Sequence, residues 1–414
     1  MQRSIPVAAG LGLALLLTSC SSDSDDNKND NSAKPSASET QKLEGSITVW
    51  VDETRINDIE PVVEEYKKER GVDVELVQKI SGDIRTEFVQ QVPTGEGPDV
   101  IIGANDWLGE FVTNGVVAPI ELGDAADGFN PGAITAFTQD GQLYGVPYAI
   151  ENIALVRNNA IATDTPETFD ALIEQGKSFG SKYPVLLQQG DKGDAYHMLP
   201  IQSSFGAQVF KQDADGAYLP EVADTTEQGT KFLEFIQKLG KQKILDTNIG
   251  GDQAKEAFLA SESAYIITGP WYVTEFVDAG LEVSVLPVPS AGGETSYPFI
   301  GVQGAFISSK SANAVLAQDF VTSFIATEDG QDALYETGGR TPALTASADK
   351  VEDPILAGFG EYGANGVPQP AFAEMPAVWN FWGSTLAQVI AGQASDPAAA
   401  WTTMIDNVAN AFNS

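Results

Sequence analysis

The sequence predicts an α/β protein with more than one domain, and three observations carry that prediction. Strand and helix patterns alternate as β-α-β-α-β over 47–102, the order of a parallel sheet covered by helices. About 370 residues follow a polar leader, more than a single core usually serves. One cysteine in 414 residues excludes an internal disulfide, so burial must hold the fold.

Ile47-Thr48-Val49-Trp50 reads as a short buried strand. A helix follows, with apolar Ile59, Val62, Val63 and Tyr66 at i, i+3, i+4 and i+7, and Gly71 ends it at the C′ position. Val72, Val74 and Leu76 alternate with Asp73 and Glu75 as a half-buried strand. A shorter helix around Ile84 and Phe88 leads through Gly95-Glu96-Gly97-Pro98 into the strand Asp99-Val100-Ile101-Ile102. Ligands of such sheets sit beyond the carboxyl ends of the strands. That rule selects Asp52-Glu53-Thr54-Arg55 and Asn105-Asp106-Trp107.

The run Tyr144 to Glu151 is extended, and a second α/β pattern follows it. Pro166 and Glu167 open a helix through Phe169, Leu172 and Ile173, and Val185-Leu186-Leu187 is a buried strand. Phe232, Phe235, Ile236 and Leu239 line a helix stopped at Gly240. Another helix ends near Ser261, before the strand Ala264 to Thr268 and the sharp turn Gly269-Pro270-Trp271 into a helix. The chain is extended from Phe299 to Gln303, and Ala305 to Ser308 reads as one more strand. A helix with Leu316, Phe320 and Phe324 follows, and Gly338-Gly339 breaks the next one before Arg340-Thr341-Pro342. Two last helices carry Leu386, Val389 and Ile390, then Trp401, Ile405, Val408 and Phe412.

The leader has its own logic. Arg3 precedes an uncharged apolar segment, Val7 to Leu17, too short for a bilayer span of about 20 residues. A basic start, a greasy core and small residues at the cut describe a secretory signal at 1–19. Leu17-Thr18-Ser19-Cys20 resembles the lipobox of bacterial lipoproteins. That resemblance implies a lipidated Cys20, acyl chains such as palmitate in the membrane, and a protein on the extracellular face of the cell membrane. Ser21 to Glu44, rich in Ser, Asp, Asn and Lys, is a flexible linker. Its 24 residues give a mean reach of roughly 27 Å.

With Trp50, Gly97-Pro98-Asp99, Tyr144-Gly145-Val146-Pro147, Gly269-Pro270-Trp271 and Trp379 in this order, the chain from about Ser46 to its end resembles a known family. It is similar to the carbohydrate-binding lipoproteins of ABC importers, of the maltose/maltodextrin-binding type. The resemblance implies a two-lobe periplasmic-binding-protein-like α/β fold, with hinge strands and a ligand cleft between the lobes. Crossings near 148–153, 299–304 and 340–344 give lobe one as 45–150 plus 304–342 and lobe two as 151–303 plus 343–414. It further implies that Asp52, Glu53 and Arg55 hold sugar hydroxyls, that Asp106 and Glu151 are acidic sugar contacts, and that Tyr196, Trp271 and Trp379 stack on sugar rings. This sequence departs from the best-known maltodextrin binder at three places. Gly103 stands where that protein has Trp, with Trp107 following the Asp instead, and Asn380 and Gly383 stand where it has Tyr and Arg. Trp382 is a candidate replacement platform.

The residue types agree with sugar binding. A pyranose has an apolar face that lies on an aromatic ring and a rim of hydroxyls that need polar partners. Trp107, Trp271, Trp379 and Trp382 lie at or near turns and element starts, whereas Trp50 ends a buried strand and Trp401 sits on a helical stripe. Arg340, in a Gly-Gly-Arg turn beside a hinge crossing, is a further cleft candidate. The net charge of −35 repels nucleic acid and suits neutral or cationic ligands.

Catalytic chemistry lacks its usual parts. The single histidine, His197, reads as a helix-start or packing residue, and no Gly-x-Ser-x-Gly elbow occurs. No His-Glu-x-x-His or Cys-x-x-Cys pattern calls for a metal, and no motif calls for a cofactor. Asp213-Ala214-Asp215-Gly216 looks like part of a calcium loop, but Lys211 and Val222 occupy its first and twelfth ligand positions, so it reads as a hairpin. The expectation is a monomeric, non-enzymatic receptor for a neutral di- or oligosaccharide, most simply a maltodextrin, that serves an ABC permease. Rival readings are a secreted glycoside-active enzyme, which needs only two carboxylates, and a surface adhesion or scaffold lipoprotein.

Overall fold

The computed structural model describes residues 44–213 and 217–413. The signal segment, Cys20 and all of the linker but Glu44 lie outside the described residues. Two hydrophobic cores organise the rest. One gathers Ile47 to Ala149 with Val302 to Ala343, and the other gathers Ile153 to Phe299 with Leu356 to Val408. The chain therefore passes between the cores between Ala149 and Ile153, between Phe299 and Val302, and between Ala343 and Leu356.

The sheet of the first core starts as the hydrophobic pattern predicts. Ser46–Asp52 lies between Asp73–Lys79 and Val100–Ala104, all three parallel. The covering helix Ile56–Arg70 buries Ile59, Val62, Val63 and Tyr66, and Gly71 closes it at φ 73° with its N–H on the Lys67 carbonyl. Each of those aliphatic side chains contributes about 1.5–3 kcal/mol by leaving water.

Beyond Val100–Ala104 the sheet is no longer parallel, because the chain re-enters from the other lobe and runs the opposite way. The two extended segments expected at 299–303 and 305–308 are one strand, Phe299–Ile307, antiparallel to both Val100–Ala104 and Gly145–Glu151. Its register shifts between Gln303 and Gly304. Thr341–Pro342 adds a short edge beside Gly145–Glu151. The second core has its own sheet, in the order Val283–Leu286, Ala154–Asn158, Tyr265–Thr268, Leu186–Leu187.

Two helix boundaries differ from expectation for physical reasons. Thr168, not Pro166, starts the helix Phe169–Ser178, its hydroxyl accepting the Ala171 N–H at 3.1 Å. Gly240 lies inside the helix Thr226–Lys241 rather than after it, because a Cβ there would meet the Ile390 carbonyl at 2.2 Å. Trp50 and Trp401 are core residues, as read. Strands Phe210–Gln212 and Tyr218–Val222 pair antiparallel, while Ala214, Asp215 and Gly216 of the expected hairpin turn lie outside the described residues.

Candidate functional site

At the carboxyl end of Ser46–Asp52 the chain turns through Glu53-Thr54-Arg55 into the first helix. Asp52 is fully buried there; its carboxylate accepts the Thr54 N–H at 3.0 Å and the Thr54 hydroxyl at 2.8 Å, and it pairs with Arg55. Arg55 Nε donates to Gln303 Oε1 at 2.8 Å, and Gln303 Nε2 donates to Glu151 Oε1 at 2.6 Å. Glu151 Oε2 accepts Arg340 Nε at 2.7 Å, and Arg340 also pairs with Asp58 and donates to the Thr54 carbonyl at 3.0 Å. Gln303 sits at the irregularity in the Phe299–Ile307 strand, and such a bulge re-aims a side chain.

This chain of contacts sets three carboxylates, Asp52, Asp58 and Glu151, against two guanidiniums, Arg55 and Arg340. Burial pushes the Asp58 pKa up to about 6, although Arg340 and Arg55 pull the other way. Both arginines are spent inside the network, so neither offers an uncommitted cation to a ligand.

The facing wall comes from the second core. Tyr265–Thr268 runs into Gly269, and the helix Pro270–Asp278 begins with Trp271 in its first turn. A Cβ at Gly269 would lie 2.0 Å from the Trp271 ring, so glycine is what lets the indole fold back over the turn. Tyr196 stands at the start of the helix Ala195–Ser203, its ring stacked on Phe299 at 6.1 Å and 21°. Burial raises its phenol well above the ordinary value, so it stays a neutral hydroxyl. The Tyr196 hydroxyl has no partner among the described residues.

Between the walls lies a cavity of about 380 Å³. Its lining includes Glu53, Arg55, Glu151 and Arg340 from the first wall and Tyr196 and Trp271 from the second. The lining thus combines aromatic rings with hydrogen-bonding side chains, Gln188, His197 and Asp252 among them.

The remaining expected site residues fall elsewhere. Asp52 is absent from the cavity lining and pairs with Arg55. Asp106 is 5% exposed; its Oδ2 accepts the Trp379 indole N–H at 2.9 Å and lies 3.8 Å from Arg85. Burial raises the Asp106 pKa, opposed by Arg85 and that indole. Trp379 lies face to face with Trp382 at 5.6 Å and 10°, but neither ring is among the residues lining this cavity.

Two expectations are corrected. Trp382 is no platform: it is 1% exposed and its indole N–H is committed to Gln202 Oε1 at 2.8 Å. Trp107 belongs to the first core, edge-on to Phe111 at 5.8 Å. Its ring covers Gly103, where a Cβ would lie 2.0 Å away. Gly103 and Trp107 are thus one device, the glycine seating the ring. Residue reasoning missed Asp58, Gln303 and the cavity-lining side of His197. Gln303 lay in a segment read as extended, but no local pattern marks a bulge.

Known proteins resemble this chain along most of its length. Residues 62–358 match the family described as bacterial extracellular solute-binding protein. The chain is 28% identical over 382 residues to the galactooligosaccharide-binding protein of Bacillus subtilis (strain 168), covering 89% of this chain and 90% of that one. It is 28% identical over 383 residues to the maltooligosaccharide ABC transporter solute-binding lipoprotein of Streptococcus pneumoniae (strain ATCC BAA-255 / R6), covering 89% of each. The solved Thermus thermophilus maltotriose binding protein, bound with maltotriose, superposes with a TM-score of 0.81 at 27% identity, covering 88% of this chain and 99% of its own. The shared architecture is the two-lobe α/β fold of periplasmic binding proteins, and these relatives are named as binding proteins, not enzymes. The chain belongs to the bacterial extracellular solute-binding protein family.

Proposed function

We propose that this protein is the lipid-anchored receptor of an ABC importer for a neutral di- or oligosaccharide, with malto-oligosaccharides the leading candidates. One observation carries the reading: a cavity lined by aromatic faces and by polar groups, in which both arginines are already neutralised by carboxylates. An anionic sugar finds no free guanidinium there, whereas hydroxyls find Glu53, Glu151 and the Tyr196 hydroxyl.

In this reading the sugar bridges lobe one (45–150 plus 304–342) and lobe two (151–303 plus 343–414). Its differential affinity favours the closed form, which docks on a separate permease. The receptor works as a monomer on the outer face of the membrane, tethered through Cys20 by the 20–44 linker after removal of 1–19.

Calorimetry and thermal-shift measurements with maltose, maltotriose, trehalose and a galacto-oligosaccharide test it. At 100 times Kd a ligand adds about 2.7 kcal/mol of stability, and the sugar must be recovered unchanged. No response to any of these sugars, or hydrolysis of the one that binds, sinks the receptor reading. Cys20→Ala should release the protein into the medium with its sugar affinity unaltered.

A further inference from the structure

We infer that His197 is a specificity-determining residue, a fixed hydrogen-bond acceptor that reads one hydroxyl hydrogen of the sugar from the second wall. This deepens the sugar-receptor reading and rests on it. His197 is the only histidine in the chain. It lines the cavity beside Tyr196, yet it is only 5% exposed.

Its proton is placed by Asp194. The Asp194 Oδ2 atom lies 2.8 Å from His197 Nδ1 and accepts the Gln188 amide at 2.8 Å. Its Oδ1 accepts the His197 backbone N–H at 2.9 Å, capping the helix. The carboxylate touches Nδ1 at 2.8 Å, although Nδ1, like Nε2, makes no hydrogen bond of good geometry among the described residues. An anion at that distance keeps Nδ1 protonated, and in a neutral imidazole Nε2 then carries the lone pair.

Nε2 is buried and has no partner among the described residues. The ring cannot turn to find one easily, since it stands edge-on to Trp271 at 5.8 Å and 85° and to Tyr196 at 5.5 Å and 69°. A buried acceptor without a donor is costly, and the cavity is where a donor enters. A sugar hydroxyl donates to Nε2 at that place. A deoxy sugar leaves the nitrogen orphaned, and a fluoro or methyl-ether analogue offers lone pairs or bulk but no hydrogen. Asp194 is a positioning residue, acting only through the tautomer it imposes.

The single imidazole makes the test direct. In protein labelled with 15N-histidine, the free form should show a protonated Nδ1 and a bare Nε2. Saturating maltotriose, or whichever panel sugar binds, should move the Nε2 resonance upfield and leave Nδ1 in place. His197→Phe should weaken that sugar about tenfold, the loss of one hydrogen bond in a dry site, and erase discrimination against one monodeoxy analogue. His197→Gln, whose amide oxygen also accepts, should restore part of both, and Asp194→Asn should mix the tautomers. An Nε2 signal unmoved by saturating sugar, a doubly protonated ring, or full discrimination retained in both His197 variants overturns the inference alone. Failure of the wild-type protein to bind any panel sugar overturns the receptor reading and this inference with it.

Discussion

The two walls of the cavity are built on opposite principles. In the first wall, charged side chains saturate one another, Arg340 meeting Asp58 and Glu151 from far away in sequence and Arg55 meeting its neighbour Asp52 and the distant Gln303, while the buried Tyr148 hydroxyl near them has no partner among the described residues. In the second, aromatic rings pack firmly while their polar tips stay unused, as at the Tyr196 hydroxyl and His197 Nε2. Hydrogen-bonding capacity spent internally makes a wall rigid and preorganised. Capacity held back makes a wall that discriminates, because an incoming group is compared with an empty place. Damage to the first wall should therefore appear in stability, and damage to the second in affinity.

The sharpest way to break this contrast is Arg340→Met, which strands two buried carboxylates. Removing one partner of a buried pair costs about 3–5 kcal/mol, and urea denaturation reads it. A loss below about 1 kcal/mol would mean that the network is not what holds the first wall.

Next in size is a pH effect. The folded Asp58 carboxyl is raised from 3.8 to about 6, so the folded chain binds the extra proton between those values. Its stabilising contribution is complete below about pH 4 and is lost as pH rises through about 6. Relative to Asp58→Asn, wild type should lose on the order of 2–3 kcal/mol across that window. Parallel denaturation curves for the two proteins at every pH would remove the burial-raised Asp58 carboxyl from the account.

Trp271→Ala should weaken sugar binding by about 1–3 kcal/mol with the fold intact, by calorimetry. Unchanged affinity would reassign the indole to packing. Smallest is Tyr196→Phe. It should cost about 0.5–1.5 kcal/mol of affinity and leave the thermal midpoint of the free protein in place, since the hydroxyl has no partner among the described residues to lose. A drop in stability without a drop in affinity would reverse the comparison at that residue.

What the sequence disclosed divides along the same line. The stripe Ile59, Val62, Val63 and Tyr66, the stop at Gly71 and the turn at Gly269-Pro270-Trp271 were legible, because each is written within a few neighbouring residues. The cavity residues Glu53, Arg55, Glu151, Tyr196 and Trp271 were reached through the carboxyl-edge rule and the family resemblance together. Illegible were the contacts that only the closed topology creates. Arg340 meets Asp58 across 282 positions and Arg55 meets Gln303 across 248. Trp107 and Trp382 sat near element starts, where a binding tryptophan also sits, and only packing against Gly103 and Gln202 decided their fate. The direction of Phe299–Ile307 was hidden too, since apolar periodicity reports burial and not polarity along a strand.

That strand has a mechanical consequence. Phe299 is packed into one core and Val302 to Ile307 into the other, with Gln303 at the bulge between Arg55 and Glu151. In the hinge motion proposed above it is the axle, and a sugar held at Glu151 would press on it almost without leverage. In that motion the rims of the lobes would be the parts farthest from the axle. A ligand that settles the pivot by a small angle therefore moves the distant surfaces through a long arc, and a partner touching only those rims can sense an occupied axle it never meets.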